Sequence, residues 1–352
     1  MTRVLQMPDW REGNPYQELL AEALRTQAVE AFFAPGRRRG LPLTRAMREL
    51  RPDLLHLHWP EAFLGRTGTV GDRLRLRRLP FDFRGARQIA PRVVTAHNLV
   101  PHDRQTDPLS VKVYRRILRE AERVIAHSER SRGVLETEIG IPGSRIDVIA
   151  HGDLSKALPD LPNQVAARES LGLDPARPIC LMFGAVMGYK GIAEFVDLWS
   201  KAAPEEATLL IAGKVLEDDV WTRIKSSVAG LPAGVEVLLR PGFLSDEELV
   251  AALAAADCTA FNYRSIFCSG AACLARSMGI PILLTERAAT VDLEEPNPRV
   301  FRFADDPGDF GSQLEKALSI GSDFSSAADW RATTNWDRVA ELTAQSYRRT
   351  VS

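Results

Sequence analysis

The sequence predicts an α/β protein built from two doubly wound, Rossmann-like domains that face a cleft. Short apolar runs alternate with longer amphipathic stretches, which is typical of parallel strands covered by helices on both faces. The chain has 352 residues, about the length of two ordinary domains. Residues 152–178 are rich in proline and polar side chains, as linkers between domains are, and several β–α units lie on each side.

Short apolar runs rich in branched side chains indicate the strands. In chain order they are RVLQM (3–7), LLHLHW (54–59), RVVTAH (92–97), RVIAHS (123–128), IDVIAH (146–151), ICLMFG (179–184), ATLLIAG (207–213), VEVLLR (235–240), CTAFNY (258–263) and IPILLT (280–285). The predicted helices are 14–28, 109–121, 129–138, 191–202, 217–228, 245–256, 269–278 and 333–350. Ser245 and Glu248 form a capping-box pattern, which marks the start of one of these helices.

Charge and hydropathy exclude several classes of protein. The net charge of −1 gives no global attraction for nucleic acid, so no nucleic-acid partner is expected. The chain opens with no signal-peptide pattern, and no apolar run approaches a membrane span, which predicts a cytoplasmic protein. Residues 37–92 carry fourteen arginines against five acidic residues. This region is either a solvated face or a patch for a phosphate-bearing acceptor or an anionic lipid surface, with peripheral contact at the inner membrane face.

Small or polar residues follow four of the predicted strands, at the ends where doubly wound sheets bind ligands. Gly13 and Asn14 come after the first strand and before a helix, where free N–H groups suit a phosphate or a sugar hydroxyl. His97 ends another strand, with Asn98 after it, and suits a ligand hydrogen bond or a general base. The alternatives are a turn that begins a helix at Pro15 and a histidine satisfied within the core.

Two loops of the second half carry the residues of an anion site. A strand ends at Gly184, and Lys190 then opens a helix beside free N–H groups, which together suit a diphosphate held without a metal ion. Ser269 and Gly270 begin another helix, where small residues let backbone amides close on an anion. Arg264, just before them, offers further donors. An ordinary β–α loop is the alternative at Lys190.

Several motifs are missing from the sequence. No glycine-rich dinucleotide fingerprint or Walker loop follows a strand, and no Gly-x-Ser-x-Gly elbow occurs. The four cysteines have no zinc spacing, and the acidic run at 217–219 suits the first turn of a helix better than a metal site. We therefore expect no cofactor and no metal ion.

Five segments together resemble the C-terminal half of a GT-B glycosyltransferase, most of all family 4 and its exopolysaccharide-assembling relatives. They are VIAHGD (148–153), FGAVMGYKGI (183–192), LLIAGKV (209–215), RPGFLSDEELVAALAAADC (240–258) and SGAACLARSMGIPIL (269–283). LLHLHWPE (54–61) and VVTAHNLVPHD (93–103) resemble the N-terminal half, and NWDRVAELTAQSYRRT (335–350) resembles the closing helix. The resemblance covers nearly the whole chain.

The chain departs from the family pattern at three positions. Family 4 members usually carry two glutamates that hold the sugar hydroxyls and the ribose, and the matching positions here are Ile266 and Leu274. Of the arginine and lysine that bind the diphosphate in the family, the lysine matches Lys190 but the arginine position is Ala185. Arg264 is the candidate substitute.

The resemblance implies transfer of a hexose, of mannose or glucose type, from a GDP- or UDP-hexose to a glycan, lipid-linked sugar or natural-product acceptor, without a metal ion. It implies an acceptor-binding N-terminal domain at 1–160, a nucleotide-sugar-binding C-terminal domain at 161–330, and a helix at 331–352 that returns to the N-terminal domain. Gly242 and Phe243 would contact the nucleotide. The diphosphate would be bound by Gly13, Asn14, Gly184, Lys190, Arg264, Ser269 and Gly270.

The missing glutamates leave the stereochemical outcome open. A retaining enzyme would use His97 as a sugar contact, whereas an inverting enzyme needs a base. The candidates for that base are His97, Glu61 and Asp103. Two rivals also stay open: a sugar-phosphate epimerase or phosphorylase of the same fold, and a non-catalytic subunit that binds and supports a partner transferase.

Overall fold

The computed structural model describes residues 1–34, 40–64, 68–100, 107–293 and 297–352. The chain divides into two compact units, which consist of Met1–Gly152 with Thr333–Ser352 and of Asp153–Ala332. We call them the first and the second unit. Residues 148–152 of the VIAHGD segment therefore belong to the first unit, although the segment resembles part of a C-terminal half.

The first unit is a six-stranded parallel sheet in the order β2-β1-β3-β4-β5-β6. Its strands are β1 (Thr2–Met7), β2 (Val29–Phe33), β3 (Leu54–Leu57), β4 (Arg92–Thr95), β5 (Arg123–Ala126) and β6 (Ile146–Val148). Its helices are α1 (Tyr16–Leu24), α2 (Pro42–Leu50), α3 (Val70–Arg87), α4 (Pro108–Glu120), α5 (Glu129–Val134) and, from the end of the chain, α13 (Trp336–Val351). Helix α13 packs along α1, and Tyr347 of α13 bonds to His56 of β3.

The second unit is also a six-stranded parallel sheet, in the order β12-β11-β10-β7-β8-β9. Its strands are β7 (Ile179–Phe183), β8 (Thr208–Gly213), β9 (Glu236–Pro241), β10 (Cys258–Phe261), β11 (Ile282–Thr285) and β12 (Val300–Phe303). Its helices are α6 (Gln164–Ser170), α7 (Ile192–Ala202), α8 (Asp218–Ala229), α9 (Asp246–Ala255), α10 (Gly270–Ser277) and α11 (Pro307–Ile320), while α12 (Ala328–Thr333) ends at the boundary. Separate apolar clusters lie on the two faces of this sheet.

Each sheet reverses its winding direction at one strand pair. Strand β1 pairs with both β2 and β3, and β7 pairs with both β8 and β10. The loops that follow β1 and β3, and those that follow β7 and β10, lie at switch points, where doubly wound sheets bind ligands. The predicted α/β architecture of two doubly wound, Rossmann-like sheets is confirmed.

Several elements differ from the sequence predictions. Strands β2 and β12 and helices α2, α3, α6 and α11 lie where no element was predicted. The capping box that begins α9 is present, since Ser245 Oγ accepts from the Glu248 N–H at 3.2 Å and the Glu248 carboxylate accepts from the Ser245 N–H at 2.7 Å. None of the helices in the described ranges is long and apolar enough to cross a membrane.

Candidate active site

Lys190 lies between β7 and α7, at the switch point of the second unit. Its side chain is buried, and its ammonium donates to the Phe183 carbonyl at 2.8 Å. Burial lowers the pKa of Lys190 to about 8, because the charged form loses its hydration. A Cβ added at Gly184 would stand 2.9 Å from Nζ, so a glycine leaves room for the ammonium here. Within the described ranges no carboxylate pairs with Lys190, and its charge is available to an anion.

Hydrogen bonds join the loops that follow β7 and β10. Asn262 Nδ2 donates to the Gly191 carbonyl, and the Arg264 N–H donates to the Tyr189 carbonyl, each at 2.8 Å. Gly191 has a φ of +59°, and a Cβ there would stand 2.4 Å from the Asn262 carbonyl oxygen, so the site requires glycine. The two loops predicted to bind an anion are therefore held side by side.

Arg264, the predicted substitute for the family arginine, already has an acidic partner. Its guanidinium pairs with Glu194 of α7, and both side chains are substantially exposed, at 44% and 42%. Arg264 therefore contributes its peptide N–H to the loop contacts, while its guanidinium is neutralised by Glu194.

Ser269 caps the start of α10. Its Oγ accepts from the Ala272 N–H at 3.1 Å and lies 2.6 Å from the Tyr263 hydroxyl. Gly270 is the first residue of the helix, where unpaired N–H groups and the positive end of the helix dipole lie. Because the cap uses the Ser269 hydroxyl, the backbone amides of the first turn are the groups that suit an anion.

Gly242 and Phe243 line a cavity of about 430 Å³ that also contacts Leu239, Arg240 and Glu248. Phe243 is 79% exposed. The ends of β8 and β9 lie close together, because the Gly242 N–H donates to the Gly213 carbonyl at 3.0 Å. A Cβ on Gly213 would stand only 2.0 Å from the Gly184 carbonyl oxygen. Strand β8 thus ends at a glycine, and β7 and β9 are each followed directly by one.

Gly13 and Asn14 lie between β1 and α1. Their N–H groups donate to the Trp10 carbonyl at 3.1 and 3.0 Å, and Asn14 Oδ1 accepts from the Tyr16 N–H at 3.0 Å. The amides that the sequence predicted as free donors are therefore used by the turn that begins the helix. Space around Gly13 remains open.

Five buried or half-buried histidines gather on one face of the first unit, towards the carboxyl ends of its strands. They are His56, His58, His97, His127 and His151. The Tyr16 ring lies among four of them, with centroid distances of 5.7, 5.0, 6.0 and 5.0 Å to His58, His97, His127 and His151. In the described part of the chain no group of three or more His, Cys, Asp or Glu residues is arranged to hold a metal ion.

Desolvation sets the charge of this histidine cluster. Burial lowers the pKa of His56 and of His127 to about 3, and that of His151 to about 4. The pKa of His58 and that of His97 are also lowered, by burial first and then by neighbouring histidines. All five rings are therefore neutral at neutral pH.

Three of these rings form a hydrogen-bonded chain with a fixed direction. His127 Nδ1 lies 3.0 Å from the Ile149 carbonyl oxygen, which only accepts, so Nδ1 carries the hydrogen. His127 Nε2 then accepts from His97 Nδ1 at 3.3 Å, and His97 Nε2 accepts from His58 Nδ1 at 3.1 Å. His58 Nε2 is left as a buried acceptor with no hydrogen-bond partner among the described residues. Both ring nitrogens of His97 are engaged.

Glu61 lies in the short turn Pro60–Phe63 that follows β3. It is half-buried, and its Oε2 accepts from the Tyr114 hydroxyl at 3.3 Å. The nearby Trp59 stacks on the His97 ring with a centroid distance of 4.3 Å. Asp103, the third candidate base, lies outside the described residues. Of the two that are described, Glu61 is a half-buried carboxylate in the turn that follows β3, whereas His97 is buried.

Ile266 and Leu274 occupy the positions of the two family glutamates. Leu274 is buried in one of the apolar clusters of the second unit, and Ile266 packs against the same cluster. The substitution by apolar residues is thus matched by apolar surroundings.

Sequence reasoning singled out His97 but not the histidines around it. A signal was present, because an Ala-His pair lies at or just beyond the carboxyl end of three consecutive strands, at 96–97, 126–127 and 150–151. In a parallel sheet, residues at equivalent ends of neighbouring strands become neighbours in space. The repeated pair therefore predicts a row of imidazoles once the strand order is known.

Residues 10–153 match the family model of Glycosyltransferase Family 4. Over 347 residues, the chain is 25% identical to the GDP-mannose:glycolipid 4-beta-D-mannosyltransferase of Xanthomonas campestris pv. campestris. The match covers 95% of this chain and 88% of that protein.

Solved structures of similar fold include enzymes of sugar transfer. Sucrose-phosphate synthase from Thermosynechococcus elongatus superposes with a TM-score of 0.75 and 17% identity over 99% of each chain. Anabaena HepE in complex with UDP and glucose gives a TM-score of 0.69 and 15% identity over 98% of each chain. WaaG, a glycosyltransferase involved in lipopolysaccharide biosynthesis, gives 0.65 and 12% over 97% of this chain and 98% of that one. At such identities these likenesses bear on the fold, which they confirm.

Proposed function

We propose that the chain, which has the GT-B fold, is a family 4-like glycosyltransferase that transfers a mannosyl group from GDP-mannose to a glycan or lipid-linked sugar. Curated relatives are named for GDP-mannose, a glycolipid and a 4-β linkage. The observation that carries the proposal is Lys190, a buried ammonium at the switch point of the second unit. A buried cation that lacks a carboxylate partner within the described ranges suits an anionic ligand.

In this proposal the donor diphosphate lies between Lys190 and the first turn of α10. As the bond to the sugar breaks, negative charge develops on the leaving diphosphate, and fixed N–H groups together with the ammonium stabilise it. We propose that these groups serve in place of a metal ion. The nucleotide occupies the cavity beside Gly242 and Phe243, whose volume of about 430 Å³ is within the range of small-ligand sites.

We further propose that Glu61 is the base for the acceptor hydroxyl. A β linkage formed from a sugar whose bond to GDP is α requires inversion by direct attack, and the attacking hydroxyl must lose its proton. Glu61 is a half-buried carboxylate at the carboxyl end of β3. His97 has both ring nitrogens engaged by other histidines, so it positions the Trp59 ring rather than taking the proton.

Helix α3 supports the proposal of a lipid-linked acceptor. It exposes Val70, Leu74 and Phe81, at 77%, 60% and 63%, whereas both of its acidic residues are buried. Arg73 and Arg77 are exposed between these apolar side chains. A face of apolar and arginine side chains suits the interface of an anionic membrane. We propose that the protein contacts such a membrane peripherally through this helix.

The test combines nucleotide binding and turnover on the purified chain. Calorimetry with GDP, UDP and ADP, each with and without EDTA, should show GDP as the strongest ligand and no effect of the chelator. Transfer of radiolabelled mannose from GDP-mannose to extracted bacterial glycolipids should follow, with a β linkage by NMR. Preference for UDP would contradict the mannosyl donor in favour of a UDP-hexose. Nucleotide binding without turnover of any donor would favour the non-catalytic subunit.

A further inference from the structure

Trp10 forms the outer layer of a stack of three rings in the first unit. Its indole lies nearly parallel to that of Trp59, with centroids 5.4 Å apart and an interplanar angle of 13°. Trp59 in turn stacks on His97, at 4.3 Å and 16°. Trp59 and His97 are buried, but Trp10 is 40% exposed. The stack therefore ends in an indole whose surface is partly open to solvent.

The backbone that carries Trp10 is held by a buried side chain. Gln17 of α1 is fully buried, and its Oε1 accepts from the Trp10 N–H at 2.9 Å. Its Nε2 donates to the Pro8 carbonyl, also at 2.9 Å. The Trp10 carbonyl accepts from Gly13 and Asn14, which closes the turn on its other side. The exposed indole is therefore preorganised, and a ligand that binds it spends little free energy on ordering the loop.

Arg11, the residue after Trp10, contacts other side chains. Arg11 pairs with Asp9 at 2.9 Å and with Glu18 at 3.1 Å. Its guanidinium also lies over the Phe33 ring, 4.0 Å from the centroid. These contacts hold the Arg11 side chain against Asp9, α1 and β2.

The place of the stack in the sheet points to a ligand. Trp10 follows β1 and Trp59 follows β3, the two strands between which the winding direction of the first unit reverses. Single exposed apolar side chains are common on protein surfaces and need no function. An exposed indole that is stacked, clamped by a buried glutamine and set at a switch point is a more specific arrangement.

We propose that Trp10 is the stacking platform for a pyranose ring of the acceptor, an inference that rests on the proposed glycosyl transfer. The face of an indole is electron-rich, and the C–H groups on one face of a pyranose are weakly positive, so the two surfaces attract and exclude water together. The flat face also selects against sugars that present axial hydroxyls to it. The chemical class of ligand is thus a saccharide with an apolar ring face, bound in the first unit independently of the nucleotide.

The test measures saccharide binding without turnover. Saturation-transfer NMR with cellobiose, methyl β-D-glucopyranoside and methyl α-D-mannopyranoside at millimolar concentration is run on the wild type, Trp10→Ala, Trp10→Phe and Phe324→Ala. The last is a matched control, because Phe324 is an exposed aromatic residue of the second unit. Trp10→Ala should raise Kd of the best probe about tenfold, Trp10→Phe by less, and Phe324→Ala should leave it unchanged. Melting temperatures and GDP affinity should stay the same in all four proteins.

Three outcomes would contradict the proposal that Trp10 is a stacking platform. The first is an unchanged Kd in Trp10→Ala, and the second is no saturation transfer from the wild type to any probe. The third is that Trp10→Ala loses vesicle binding but keeps saccharide binding. The last would make Trp10 a membrane contact. Failure of the proposed function is distinguishable, because it would appear as absent GDP binding while saccharide binding still depended on Trp10.

Discussion

At the scale of single residues, the charge of Lys190 decides how donor affinity depends on pH. Burial lowers its pKa to about 8, and a bound diphosphate favours the protonated form. GDP affinity should therefore be full well below pH 8 and fall as pH rises through and above that value. Calorimetry between about pH 6.5 and 9.5, in buffers of different ionisation enthalpy, should also show proton uptake on binding near pH 8.

Lys190→Ala should weaken GDP binding by about ten- to a hundredfold and abolish this pH dependence, because a hydrogen bond to a charged group is lost. Lys225→Ala is the control, since Lys225 is an exposed lysine of α8 in the same unit. If Lys190→Ala retained the affinity of Lys225→Ala, the diphosphate would be bound elsewhere.

A second prediction at the residue scale decides whether Glu61 or His97 is the base. Glu61→Gln should lower kcat about a hundredfold or more with GDP affinity unchanged, since a base acts only on the acceptor hydroxyl. Tyr114→Phe removes only the hydroxyl that donates to Glu61 and should cost much less. Steady-state kinetics with a saturating donor decides between them. A larger loss in His97→Gln than in Glu61→Gln, with both proteins folded, would transfer the role of base to the histidine chain.

At the scale of elements, apolar runs predicted the central strands well, because strands buried on both faces are continuous in hydrophobicity. Helix α3 was missed, because its leucines alternate with arginines and Pro80 interrupts the run, which disguises the buried series Leu76, Leu79 and Phe83. The loop after β7, which contains Gly184 and Lys190, was predicted because small residues after a strand are a local signal. The histidine cluster was not predicted, because it depends on which strand ends are neighbours. Strand order decides this, and strand order is a property of the whole sheet.

At the scale of elements, we predict that the exposed face of α3 binds anionic membranes. The protein should sediment with vesicles that contain phosphatidylglycerol, less with pure phosphatidylcholine, and less as salt is raised, because the arginines attract anionic lipid. Leu74→Ser with Phe81→Ser should weaken vesicle binding at every salt concentration, and both side chains are exposed, so folding should be unaffected. Val165→Ser, at an exposed apolar residue of the second unit, is the control. Equal binding to both vesicle types would contradict the proposed contact.

At the scale of the whole molecule, the histidines are divided unevenly between the two units. All six histidines of the chain fall within residues 1–152, and the second unit has none. The second unit keeps a buried lysine instead, whose charge changes near pH 8. Mild acid therefore acts through histidine on the first unit alone, and the two units should not unfold as one two-state system.

This division predicts selective acid destabilisation. The folded-state pKa values of about 3 for His56 and His127 and about 4 for His151 lie below the value of about 6.5 in an unfolded chain, so the stabilisation is complete above pH 6.5 and declines as pH falls towards the folded values. At about pH 5.5 the lowered pKa of each of these three histidines should destabilise the first unit by on the order of 1 kcal/mol. Hydrogen exchange, corrected for its intrinsic pH dependence, should show peptides of β3–β5 losing protection between about pH 7.5 and 5.5 while those of β7, β8 and β10 keep theirs.

Asp147 does not contribute to this loss of protection. Burial raises its pKa, but its arginine partners lower it further, so Asp147 is ionised throughout this range. Equal loss in both units would mean that the histidines are solvated and charged in the native protein, and the directed chain from His58 to Ile149 would then not exist.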